Sequence, residues 1–311
     1  MGRFINPFTD WGFKQIFGRE ITKDLLISFL NDLFDGKHHV TDLTFLDKEQ
    51  LPEAKDMRGV VYDIYCKTAD GKNVIVEMQN RYQEYFLDRS LFYAARSVVG
   101  QSQKGLWDYS LVPVYTICFM NYGEGKDTPH KFRTDVALTD IDSGELFSDK
   151  LHFIYLMLPL FKKEEEECEN DFERWIYVLN NMNTFDRMPF LAKNAVFKKL
   201  AEIADVNTLT QAEKEKYDES LKIMRDAYAT YKTAKNIGRE EGVREGRAQG
   251  IKEGIKEGLK EGIKEGLKEG IKAGRAEECR GMAIKMKQNG LDIMLISQIT
   301  GLSEEEINQL N

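Results

Sequence analysis

The residues of this chain best suited to chemistry are Asp63, Glu77 and Gln79, spaced as D-x(13)-E-x-Q. Asp63 lies in a run of β-branched and aromatic residues over 60–68. Glu77 and Gln79 lie in a second such run over 73–79, and Ala69-Asp70-Gly71 stands between the two. That tripeptide suits a three-residue hairpin loop, a type I turn closed by a glycine in the left-handed region. Such a loop pairs Thr68 with Lys72. Counting back from that pair sets Asp63 directly opposite Glu77, with Gln79 on the same face two residues further on. The other face then collects Val60, Tyr62, Ile64, Cys66, Val74, Val76 and Met78. A two-residue loop shifts the register by one and parts the two acids, so the glycine position decides.

Facing carboxylates on adjacent strands repel each other unless a cation lies between them. Mg2+ or Mn2+ fits, because both take carboxylate and carbonyl oxygens in octahedral geometry. A divalent ion there can activate water and stabilise charge growing on a phosphate. By spacing alone, the same pair also fits an ordinary solvated sheet face, and both readings stand at this point. Other metal-ligand types contribute nothing. His38, His39, His130 and His152 lack ligand spacing, with His38-His39 in an apparent solvated turn. Cys66, Cys118, Cys168 and Cys279 contain no C-x-x-C pair, which excludes a zinc ribbon and argues against a disulfide framework. A metal here is held by oxygen.

The elements that must position these residues follow from periodicity. Residues 10–17 and 23–34 are helical in pattern, the second with Leu25, Leu26, Phe29, Leu30, Leu33 and Phe34 on one face. Asp10 reads as the N-cap of the first helix or as a further acidic ligand. A strand over 40–46 precedes the hairpin. An amphipathic helix over 86–103 follows it, carrying Leu87, Leu91, Tyr93, Ala94, Ala95 and Val98. The near-continuous apolar run over 111–120 reads as a buried strand, with further strands at 132–138 and 153–158.

The stretches TDWGFKQIFG, LLISFLNDLF, VVYDIYCKTADGKNVIVEMQNRYQEYFLDRSLFYAARSV and WDYSLVPVYTICFMNY closely resemble the Rpn family of recombination-promoting nucleases and putative transposases. The resemblance is strong over residues 4–122, and V-E-M-Q with the downstream D-R-x-x-x-Y helix makes it specific. It implies an α/β fold of the PD-(D/E)XK superfamily, an αβββαβ core with a central mixed sheet flanked by helices. It also implies that Asp63 and Glu77 bind metal, with Gln79 where the superfamily usually has lysine. Glutamine can orient a water or phosphate, but it carries no charge and cannot act as a base. The missing cation must then come from elsewhere, and Arg89 and Lys14 are the candidates.

Beyond the core, residues 161–236 are helical in pattern, starting with an exposed acidic stretch at 164–167. Over 238–277 glycine recurs at every fourth position, as in GIKE and GLKE. Four residues advance a helix by about 400°, so the Ile/Leu lane drifts by about 40° per repeat. Each glycine costs ~1 kcal/mol relative to alanine in a helix, and Glu-to-Lys pairs such as Glu253 with Lys256 return only a few tenths. The repeat therefore reads either as a tether or oligomerising helix that wants a partner, or as a flexible linker. Residues 279–311 read as three short helices, with Asn289-Gly290 closing the first and Ser303 with Glu306 forming a capping box. The spacing is that of helix-turn-helix units. However, Glu304, Glu305 and Glu306 suit a phosphate-lined groove poorly, which points to protein contact.

The net charge of −8 in 311 residues argues against a protein that coats nucleic acid by bulk electrostatics, without excluding a nuclease. No apolar run is long enough to span a membrane. The N-terminus fits neither a secretory signal nor the myristoylation pattern, so the expected location is cytoplasmic. The expected organisation is a nuclease-like core over 1–160, a helical extension over 161–236, the glycine repeat over 237–277 and a small helical unit over 278–311. The expected function is Mg2+- or Mn2+-dependent DNA endonuclease activity tied to recombination or mobile elements. Asp63 and Glu77 would hold the metal, Gln79 would position water or phosphate, and Arg89 or Lys14 would support the transition state. Homo-oligomerisation is expected through the repeat. The alternative is a non-catalytic DNA-binding or assembly protein that keeps the fold.

Overall fold

A computed structural model of the chain describes residues 2–50, 59–103, 105–123, 125, 128–191 and 194–310. These divide into two compact units, Met1–Lys232 and Thr233–Asn311.

The first unit opens with α1 (Asp10–Phe17) and α2 (Lys23–Phe34), as periodicity predicts. Thr9, not Asp10, is the N-cap of α1: its hydroxyl accepts the Gly12 N–H at 2.9 Å. Strands β1 (Leu43–Phe45), β2 (Glu49–Gln50), β3 (Val60–Val61), β4 (Ile64–Thr68) and β5 (Asn73–Gln79) lead to α3 (Phe86–Val99) and β6 (Val114–Met120). Then come β7 (Arg133–Thr139) and β8 (Leu146–Met157), followed by α4 (Asp171–Asn181), α5 (Ala195–Ala204) and the start of α6 (Gln211–Gln288).

Six strands form one mixed sheet in the order β1-β4-β5-β6-β8-β7. The β1–β4, β4–β5 and β7–β8 pairs are antiparallel, while β5–β6 and β6–β8 are parallel. The central parallel strand β6 is buried along its whole length, as its unbroken apolar run requires. On one face of the sheet Ile64, Cys66, Val76, Ile117 and Phe119 pack against α1, α2, α4 and α5. Phe119 lies 5.5 Å from Phe13 and 5.2 Å from Phe29, and Trp175 of α4 meets Phe29 edge-on at 6.0 Å. The helices after residue 160 thus share the core of the sheet.

On the other face, α3 lies over Tyr65, Ile75, Cys118 and Tyr155. Its fully buried stripe is Phe86, Ser90, Ala94 and Ser97, with Leu87, Tyr93 and Val98 packed partly buried beside it, while Leu91 and Phe92 face outward. The serines explain this. Ser90 and Ser97 hydroxyls bond the hydroxyls of Tyr155 and Tyr65 at 2.8 and 3.0 Å, so small polar residues let the helix sit close on a tyrosine-rich sheet.

In the second unit α6 carries the whole glycine repeat as helix, with Ile255, Leu259 and Ile263 exposed. Its end packs against α7 (Ile293–Thr300) and α8 (Glu304–Gln309) around Ala283, Ile296 and Ile307. Gly290 and Gly301 adopt the left-handed backbone that ends the first two helices, and the Ser303–Glu306 capping box starts the third.

The aromatic cluster under β6 sets a stability prediction. Phe29→Ala should lower unfolding free energy by about 3–5 kcal/mol in urea titration, and Phe29→Leu by markedly less. Equal losses for the two variants would show that ring packing is not what this site contributes.

Candidate active site

The hairpin of β4 and β5 has the register Ile64 with Val76 through Lys67 with Asn73. The loop closes with the Thr68 N–H on the Lys72 carbonyl at 2.9 Å, and Gly71 holds φ +92°, a backbone that a side chain would strain. One pair beyond Ile64 and Val76, Asp63 stands opposite Glu77, as the three-residue loop predicts.

The strand does not run unbroken through Asp63. It breaks at Tyr62-Asp63, and β3 leaves the main sheet to pair with β2. At the break the Asp63 side chain takes over the ladder: its Oδ2 accepts the Met78 N–H at 2.8 Å, and its own N–H donates to Glu77 Oε1 at 3.3 Å. The break also divides the expected apolar stripe. Ile64, Cys66, Val74 and Val76 face α1 and α2, whereas Val60 and Tyr62 turn to the α3 side with Tyr65.

Burial decides against a solvated face. Glu77 is 5% exposed, and burial together with the Asp63 carboxylate pushes its carboxyl up to about 8. Burial raises Asp63 as well, against the Met78 N–H and the positive charge of Lys14. Both cations named from the sequence lie close enough to act on both acids. Arg89 in α3 donates to Gln79 Oε1 at 2.9 Å and to Gln83 Oε1 at 2.6 Å, with its guanidinium 5.0 Å from the Phe86 ring centre. Lys14 is paired with Asp10 at 2.5 Å and reaches the acids through its charge alone. Gln79, also buried, gives an amide hydrogen to the Arg81 carbonyl at 2.8 Å. Its oxygen accepts from Arg89, so this side chain anchors a cation beside the acids.

Sequence reasoning missed Gln83, the Arg81 carbonyl and the Met78 N–H, three groups that fix Arg89, Gln79 and Asp63. Two are backbone atoms, which composition cannot flag, and Gln83 lies in the irregular segment before α3. His38 and His39 follow the turn after α2, His39 exposed and His38 half-buried. The His38 Nε2 meets the Tyr115 hydroxyl at 2.5 Å.

The donor set fits a hard divalent cation. The buried Glu77 carboxylate faces the half-buried one of Asp63, and the described residues contain no group of three or more His, Cys, Asp or Glu that could hold a metal. Mg2+ tolerates such a sparse set because it keeps several of its waters.

A mixed sheet with an acid pair on its central hairpin and helices on both faces defines the PD-(D/E)XK class of nuclease folds. Residues 7–234 match the family model described as PD-(D/E)XK nuclease family transposase, and the chain belongs to that family. Residues 277–311 match the Rpn/YhgA-like nuclease family C-terminal HTH domain. A helix-turn-helix domain is a DNA-binding class of module, so this match supports DNA contact over the protein contact suggested by the acidic last helix. No curated protein and no solved structure matches the chain. Among the described residues, no helix is long and apolar enough to cross a membrane.

The raised carboxyl of Glu77 has a pH consequence. Far below the ordinary carboxylate range, folded and unfolded states both carry the proton, and the group contributes nothing. As pH rises to about 8 the unfolded chain ionises first, so the metal-free fold loses stability across that window. In EDTA, Glu77→Gln should flatten this decline and melt above wild type at the alkaline end. An unchanged pH profile would show that Glu77 does not titrate in this way.

Proposed function

We propose that this protein is a cytoplasmic, Mg2+- or Mn2+-dependent DNA endonuclease acting in recombination or in the movement of mobile elements. The observation that carries this reading is a buried Glu77 facing Asp63, with the guanidinium of Arg89 held beside them by Gln79. Asp63 and Glu77 would hold the metal, which when bound lowers the pKa of a coordinated water and polarises the scissile phosphate. The chain's own residues do the rest. The Met78 N–H fixes one oxygen of Asp63 and so the orientation of its carboxylate. Gln79 and Gln83 hold Arg89 in one orientation, where its fork of donors suits the non-bridging oxygens of a phosphodiester. Lys14 adds positive charge from α1.

A second reading, a DNA-binding or assembly protein that keeps the fold without cutting, draws on the helix-turn-helix domain and the exposed Ile/Leu lane of α6. That lane would pair chains into a homo-oligomer. A drifting lane suits a partner that winds with it, and deletion of 238–277 would then reduce the sedimentation mass.

Plasmid nicking with Mg2+ or Mn2+ separates the two readings. Wild type should convert supercoiled to open-circular DNA, and Asp63→Ala and Glu77→Ala should fall to background. Arg89→Ala should lose roughly ten- to a hundredfold, and Lys14→Ala less. Nicking that survives in both carboxylate variants would refute the site. No nicking by wild type on varied DNA substrates would favour the second reading.

A further inference from the structure

A cavity of about 950 Å3 opens directly beside Asp63 and Gln79, walled on one side by α1 and on the other by the early turns of α6. It lies wholly within the first unit. The α6 wall is fixed there. The Tyr217 hydroxyl accepts the Asn6 N–H at 2.7 Å, the Trp11 N–H donates to Ser220 Oγ at 3.2 Å, and the Tyr217 and Trp11 rings lie 5.7 Å apart. Tyr217, Leu221, Met224, Tyr228 and Tyr231 then follow at helical spacing along one stripe. Tyr217 and Leu221 are buried in the core, whereas Tyr228 is 64% exposed. The stripe therefore runs past the packed body, and its outer part lines the cavity with tyrosine rings.

The remaining lining has the same character. Trp11 and Tyr122 present further aromatic surface, and Arg81, Lys216 and Arg225 stand around it with no ion pair among the described residues. Glu219 and Asp10 also line it, the latter already paired with Lys14. Aromatic faces next to unpaired cations are what single-stranded nucleic acid uses, its bases stacking and its phosphates meeting the charges. The cavity sits at the upper end of the size range of small-ligand pockets. It can take a nucleotide or two but not a stacked duplex.

We infer that this cavity receives an unstacked nucleotide adjoining the scissile phosphate, so that the preferred substrate is single-stranded or locally melted DNA. The inference rests on the nuclease reading of the acid pair and specifies its substrate class. A duplex would have to surrender a base from its stack to enter, and mispaired or frayed sites surrender one most easily.

The test is fluorescence anisotropy of the full chain in EDTA, with a labelled single strand and with the same sequence as a duplex. Tyr228→Ala and Tyr231→Ala should each weaken single-strand binding roughly tenfold, while Tyr228→Phe keeps it and duplex binding stays as in wild type. Tyr228 is exposed, so its loss leaves the core intact, which circular dichroism checks. Unchanged single-strand affinity in both alanine variants, or an equal loss for the duplex, overturns the inference. Binding is read without metal, so the two readings fail separately. A wild type that binds single strands through Tyr228 yet nicks nothing counts against catalysis alone. A nicking enzyme indifferent to Tyr228 and Tyr231 counts against the cavity alone.

Discussion

The constraint on which this structure turns is the placement of a glutamate in a sheet that is covered on both faces. Glu77 stands on β5, between β4 and β6, with α3 over it, and its carboxylate has little access to water. A lone buried charge is expensive enough that a carboxyl so placed takes up a proton or gains a positive partner. The register leaves no freedom here, because the Thr68–Lys72 closure forces Asp63 into the facing position and doubles the problem. The surrounding features compensate in part. The Met78 N–H turns toward Asp63, Arg89 is drawn in from α3, and Lys14 adds its charge from α1. A fold selected only for stability would place apolar side chains at these two positions.

Most of this was legible in the chain itself. Ala-Asp-Gly specifies a loop whose length fixes the register, and one residue more or less would part the acids. The helix bounds of α1 and α2 follow from their periodicity, and β6 follows from its apolar run. The break at Tyr62-Asp63 was not legible, because both residues are compatible with a continuing strand. What ends the strand is a side chain that competes for a ladder hydrogen bond, a tertiary choice with no mark in the local pattern. The face of α3 is legible in part, since Ala94 is buried and Leu87, Tyr93 and Val98 pack on the sheet, but its two serines are not. Serine scores as polar, yet here it is buried because the sheet beneath offers tyrosine hydroxyls. The outer half of β8 is not legible because its residues are half-buried or, like Phe147, exposed, and its sequence shows no apolar alternation.

The helix α6 shows one element under two regimes. Up to Leu221 its stripe is held by Asn6, Trp11 and the core, so its position follows from packing. Over 238–277 none of the glycines has a neighbour among the described residues where a Cβ would stand. Propensity alone would not support this stretch as helix, with ~1 kcal/mol lost at each glycine. A close partner surface is the arrangement that would compensate, since glycine leaves the backbone open to approach. The C-terminal unit behaves differently again. Its glycine stops and capping box were readable in the sequence because they are local devices.

The glutamine at position 79 is best understood together with Arg89. A lysine on the strand would bring its charge to the acids on its own flexible stem. Here the strand supplies a neutral amide, and the charge arrives from α3 as a guanidinium, fixed at two points by Gln79 and Gln83 and laid against Phe86. Two fixed points and a ring face leave the fork little rotational freedom, so its donors are oriented before a phosphate arrives. A guanidinium is a hydrogen-bond donor with no acceptor atom, which removes proton abstraction from its possible roles. Proton removal from the attacking water would then fall to solvent or to the carboxylates. On the proposed nuclease reading, orientation of the phosphate and stabilisation of its growing charge would fall to Arg89. On this arrangement the change from lysine to glutamine moves the cation from the strand to the helix without removing it from the site.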